Sequence, residues 1–196
     1  MKDYITENWV EIAGAVLSLL YLYLSIREKS ALWIFGFISS VLYIFVFFES
    51  KLYADMSLNF YYLGVSIYGW INWHRKTGQF KDSGLHITRI SGKQQILSYL
   101  FGTIFVYLAY YLVLELLTDS TIPVADSVVG ALSVIATWML ARKKIENWLV
   151  WIVVDAFAAG LYLYKGLYPT TILFIIYTIM AVVGYYQWKK TPDAIK

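Results

Sequence analysis

The chain is built from long runs that carry almost no charge, and this leaves few folds open to it. Seven stretches stand out: Trp9–Ile26, Ala31–Phe48, Asp55–Trp73, Gln95–Leu117, Pro123–Ala141, Asn147–Tyr164 and Tyr168–Trp188. Each approaches the about 20 mostly apolar residues that a helix needs to cross a hydrocarbon core. Barrel strands do not fit, because the runs are apolar on every side, as from Ile96 to Leu108, instead of alternating. Pro123 and Pro169 fall at span starts, where a missing N–H costs a helix nothing. Of 196 residues, 60% are hydrophobic and 15% charged, against about 45–50% and about 25% in an average soluble domain. A soluble enzyme and a disordered tail are excluded, and with no cysteine so is a disulfide scaffold. The first run does not read as a signal peptide, since the segment before it is not basic and no small-residue cleavage site follows. The expected fold is an all-α membrane protein with seven transmembrane helices; the expected surroundings are lipid, with no nucleic-acid partner.

Orientation follows from the basic residues. With seven spans, the N-terminus shares a side with Lys2, Lys51 and Lys165. The rest of the 16 Lys and Arg residues, among them Arg27, Arg75, Arg142, Lys143 and Lys189, fall on the opposite side. The positive-inside rule then puts the N-terminus outside and the C-terminus in the cytoplasm. One loop is long, His74–Gln94, and it reads as a cytoplasmic tether.

The chain also resembles itself at a shift of 115 or 116 residues. Gly14-Ala15 recurs as Gly130-Ala131, Arg27 as Arg142, Trp33 as Trp148 and Leu52-Tyr53 as Leu167-Tyr168. Tyr62 recurs as Tyr177, Gly69 as Gly184 and Trp73 as Trp188. Spans one to three therefore match spans five to seven, and span four has no counterpart. Three spans reverse the chain's side of the membrane and one more restores it. The second triplet thus enters with the orientation of the first, a parallel 3+1+3 repeat of the kind found in SWEET-type carriers. The expected division is a first three-helix bundle over 1–76, a cytoplasmic linker loop over 77–94, an inversion linker helix over 95–117 and a second bundle over 118–196. Two similar bundles rocking about a midplane site favour a carrier over an enzyme.

The available chemistry points the same way. Both histidines, His74 and His86, fall in the long loop. No metalloprotease, P-loop or nucleotide-binding motif is present, and the last span holds no lysine for a retinal-type photoreceptor. No cofactor and no metal are expected. Glu11, Asp55, Glu115 and Asp126 lie near span ends, where solvation suffices. Asp155 lies eight residues into span six, roughly 12 Å deep at 1.5 Å per residue. A carboxylate at the bilayer centre costs about 2.5–3.5 kcal/mol on the lenient insertion scale and marks a pathway. Trp148, Trp151 and Asp155 share one helix face, which suits a flat cationic ring. Asn59 is the best second polar candidate, with Ser39, Ser40, Ser66 and Thr178 weaker ones; Tyr43, Tyr61, Tyr62 and Tyr177 are candidates to line a cavity. Trp9, Trp33, Trp70, Trp73, Trp138 and Trp188 read as interfacial belt residues.

Several segments resemble one known family. LeuTyrAlaAsp from Leu52, IleTyrGlyTrpIleAsnTrp from Ile67, GluAsnTrpLeuValTrpIleValValAsp from Glu146, GlyLeuTyr from Gly166 and GlyTyrTyrGlnTrp from Gly184 are similar to the PnuC family of vitamin transporters. The resemblance implies a seven-helix 3+1+3 uniporter of the bacterial inner membrane, often a trimer. Such proteins carry a dephosphorylated vitamin by facilitated diffusion, and a cytoplasmic kinase traps it. Nicotinamide riboside is the first expectation and thiamine the second, with riboflavin a third family substrate. The family's tryptophan-rich motif falls on Trp148 and Trp151. The amide positions of nicotinamide riboside members read here as Asn59 and Asp155, a shorter amide and an acid.

Overall fold

A computed structural model describes residues 9–49, 53–74, 85–118 and 122–191. Lys2, Lys51, Leu52 and residues 77–84 of the linker lie outside the described residues, as do the side chains of Glu11 and Asp55. Among the described residues the chain forms seven helices: α1 Trp9–Ile26, α2 Leu32–Glu49, α3 Tyr53–His74, α4 Lys93–Leu117, α5 Pro123–Ala141, α6 Asn147–Tyr164 and α7 Tyr168–Lys189. They coincide with the seven expected spans to within two residues. Helices α4 to α7 are long and apolar enough to cross a membrane, and α1 and α2 are apolar over Val16–Ile26 and Leu32–Phe45. Large side chains such as Phe45, Phe101, Phe105 and Ile172 project outward with more than half their surface open. A bilayer is the solvent that accepts such a surface.

Helix α1 packs on α2 and α2 on α3, while α5 packs on α6 and α6 on α7. The two groups meet where α3 lies against α5 and α1 against α7; α4 rests on α5 and touches α3.

The turns that end α1 and α5 are built alike. At the first, Glu28 N–H donates to Ser25 and Lys29 N–H to Leu24; at the second, Lys143 N–H donates to Leu140 and Lys144 N–H to Met139. This is the Schellman pattern, which wants a left-handed residue and usually takes glycine. Gly166 fills that place after α6, at φ 74°. Glu28 and Lys143 fill it after α1 and α5, at φ 54° and 49°. A side chain in that conformation costs roughly 1–2 kcal/mol.

The tightest packing sits at this end of the molecule. Trp33, Trp73, Trp148 and Trp188 are each 5% exposed or less. Trp33 meets Trp73 edge-on at 5.6 Å, and Trp148 meets Trp188 edge-on at 5.4 Å. Glycine makes the room: a Cβ on Gly69 would stand 2.3 Å from the Trp33 ring, and one on Gly184 2.7 Å from Trp148. The indole N–H of Trp73 donates to the Leu140 carbonyl at 3.3 Å, and that of Trp188 to the Ser25 carbonyl at 3.2 Å. The belt reading of Trp33, Trp73 and Trp188 is thus corrected. These rings fill one another's surface and satisfy helix-end carbonyls instead of facing headgroups. Trp70 remains exposed, against His74.

The tether reading of the long loop needs correction as well. Over its described part, Ile87 is 2% exposed and joins the tryptophan cluster. Thr88 N–H donates to the Lys143 carbonyl, Ile145 N–H donates to the Thr88 carbonyl, and Ile90 N–H donates to Glu146, each at 3.0 Å. The segment is strapped to the α5–α6 turn.

Candidate functional site

Above the tryptophan cluster the helices line a half-open cavity of about 880 Å³. Its floor is Gly36 of α2, Thr137 of α5 and Trp151 of α6, each within five residues of the clustered end of its helix. From there it runs along α7, past Tyr177 and Phe174, to Pro169 in the first turn of that helix. The walls mix aromatic rings and aliphatic side chains with hydroxyls and one amide. Most drug-sized ligands are held in sites of this size and character.

The helices position these groups by ordinary means. Ser40 and Ser66 turn their hydroxyls back to carbonyls four residues earlier, at 2.8 and 2.7 Å, and Thr137 does the same at 2.8 Å. Such bonds satisfy the hydroxyl donor inside a helix and leave lone pairs for another partner. Two tyrosines reach across the line where the helix groups meet. Tyr177 of α7 hydrogen-bonds Ser18 of α1, and Tyr62 of α3 comes within interaction range of the Ser133 side chain of α5. Tyr61 adds a bond from its hydroxyl to the Val134 carbonyl at 2.7 Å.

Of the candidates from sequence, Trp151, Asn59, Tyr62, Tyr177 and Ser39 line this one cavity. Trp148 and Asp155 do not line it. Trp148 lies in the first turn of α6, where Gly184 opens a slot for its ring and Trp188 closes over it. The shared face of Trp148, Trp151 and Asp155 therefore splits by depth. Asp155 is 5% exposed on α6, one turn beyond Trp151, and stands close enough to Tyr177 to interact electrostatically. Ser18, Tyr21 and Thr137 line the cavity and were not singled out from sequence. Lone hydroxyls in apolar helices read as packing, yet Ser18 precedes Ser133 by the same 115 residues that separate Tyr62 from Tyr177. Among the described residues no group of three His, Asp or Glu could hold a metal ion.

The family model "Nicotinamide mononucleotide transporter" matches residues 8–190. The nicotinamide riboside transporter PnuC of Escherichia coli (strain K12) is 27% identical over 203 residues, covering 92% of this chain and 85% of that protein. The riboflavin/roseoflavin transporter RibM of Streptomyces davaonensis is 25% identical, covering 92% of this chain and 84% of that one. A solved structure, the "Crystal structure of the Vitamin B3 transporter PnuC", superposes with a TM-score of 0.73 at 25% identity, over 95% of this chain and 83% of its own.

Proposed function

This chain belongs to the nicotinamide mononucleotide transporter family, and we propose that it carries nicotinamide riboside across the bacterial inner membrane by facilitated diffusion. It is a multi-pass membrane transporter and not an enzyme. The observation that carries the substrate reading is the cavity itself. Trp151, Tyr62 and Tyr177 offer ring faces to a flat cation, and Asn59 offers an amide to its carboxamide or sugar. The buried Asp155 behind that wall supplies negative charge through a poorly polarisable medium.

Within this reading the two helix groups are bundles of a parallel 3+1+3 repeat, over 1–76 and 118–196, with α4 as the inversion linker. The reciprocal contacts of α3 with α5 and of α1 with α7 support it, since exchanging the bundles exchanges the two contacts. The N-terminus lies outside and the C-terminus in the cytoplasm, a reading supported by the basic residues. Trimer assembly and trapping of the vitamin by a cytoplasmic kinase complete the proposal.

The test is a titration of purified protein with nicotinamide riboside, thiamine and riboflavin, followed by flux into liposomes with no ion gradient. Tightest binding of nicotinamide riboside with downhill flux is expected. Preference for thiamine would assign the acid at position 155 to an aminopyrimidine. Preference for riboflavin would align the chain with its RibM relative. Uptake that requires a sodium or proton gradient would overturn facilitated diffusion.

A further inference from the structure

We propose that the cavity is closed at the tryptophan end by a gate, and that the ion pair Glu28–Lys143 is the latch that holds it shut. The inference rests on the transport reading, because a gate has meaning only if something passes.

The closed end is a stack of cross-bundle contacts. Lys143 donates to Glu28 at 3.0 Å, and the pair is mostly shielded, with side chains 10% and 28% exposed. The same ammonium lies 4.6 Å from the centre of the Trp73 ring. Beneath it, Trp73 and Trp188 each reach from one bundle to a helix-end carbonyl of the other. A molecule leaving the cavity past Thr137 and Trp151 meets these four rings and this pair.

Two features mark the pair as more than a surface contact. Both residues sit in the left-handed conformation that the chain elsewhere gives to glycine, as at Gly166. Non-glycine residues persist in such strained positions where a side chain is needed. Second, the closed packing leaves two buried donors, the indole N–H groups of Trp33 and Trp148, without a hydrogen-bond partner. Such a group is penalised when dry and relieved when wetted. Closure therefore works against a built-in bias toward opening, and an ion pair across the seam supplies the opposing hold. The strap of Leu85–Ile90 keeps the Lys143 turn fixed, so the Glu28 turn is the side that moves.

The chain contains no cysteine, so single thiols can be introduced without first removing any. The probe is Thr137→Cys, on the cavity floor, in oriented vesicles treated with a charged, impermeant thiol reagent. Labelling from the tryptophan end should rise at least fivefold in Glu28→Gln and in Lys143→Met, with labelling from the opposite end unchanged. The double variant E28K/K143E should return to within twofold of the parent. Labelling at the parent rate in both single variants, or failure of the swap to restore it, overturns the latch. As a second measurement independent of those substitutions, Glu28→Cys with Lys143→Cys is joined by a bifunctional thiol reagent. Nicotinamide riboside flux should fall more than tenfold and return when a cleavable linker is cut. Full-rate flux through the linked protein overturns the gate. Labelling needs no ligand, so a parent that carries no nicotinamide riboside would defeat the substrate reading while the labelling still decides the gate.

Discussion

The tryptophan end keeps the two halves of the chain matched more closely than the cavity does. At the tryptophan end, contacts recur 115 residues on: Trp33–Gly69 with Trp148–Gly184, and Trp73 to Leu140 with Trp188 to Ser25. Even the pairings of Arg27 with Tyr23 and Arg142 with Trp138 correspond. In the cavity the same offset still pairs Tyr62 with Tyr177, but it sets Gly36 against Trp151 and Asn59 against Phe174. The difference follows from what each region must fit. Parts that pack on each other can keep matched shapes, whereas a cavity that takes an asymmetric ligand does better with unlike walls.

The largest expected effect tests the matched end. Trp33→Ala and Trp148→Ala should each cost about 3–5 kcal/mol, read as thermal unfolding in detergent, and the two losses should agree. A loss confined to one of them would break the correspondence. Next, Gly69→Ala and Gly184→Ala should each cost about 1–3 kcal/mol by overpacking. Gly64, with nothing within 4 Å of its added Cβ, is the control and should lose far less.

The cavity should respond in binding more than in stability, and on one side only. Trp151→Ala should weaken nicotinamide riboside by about 1–2 kcal/mol through lost stacking and cation–π attraction, with a small change in melting. Asp155→Asn should weaken the cation about tenfold, consistent with a charge acting at short range in a protein interior. It should leave the uncharged dihydro form of the same nucleoside nearly unaffected, and equal losses for both forms would make the acid purely structural. The smallest effect is expected at Asp126, whose pair with Lys165 spans 3.4 Å between side chains about a third exposed. Asp126→Asn should cost under about 1 kcal/mol, and a larger loss would place α5 and α6 in a tighter association than the fold implies.

Helix number and helix limits were legible because hydrocarbon thickness acts on each span separately. The cavity was legible where a residue stood out against its span, as Trp151 and Asn59 do. Depth was harder. Trp148 and Trp151 are one turn apart in sequence, yet the first fills a slot made by Gly184 on another helix. The belt reading of Trp33, Trp73 and Trp188 failed for the same reason, since a span-end indole suits headgroups or a partner ring equally well. The glycines held the missing signal: a belt tryptophan needs none, whereas each clustered pair repeats with one. Hydroxyls such as Ser18 and Thr137 gave no signal alone, because their role depends on which helix lies opposite.

Glu28 and Lys143 occupy corresponding places, yet they carry opposite charge and face each other. Two identical copies of one three-helix unit could not make this contact. Position 28 would meet its own duplicate, and like charges about 3 Å apart repel by roughly 5 kcal/mol at an effective dielectric of 20. The pair therefore encodes stoichiometry. At this contact, unlike halves attract and like halves would repel.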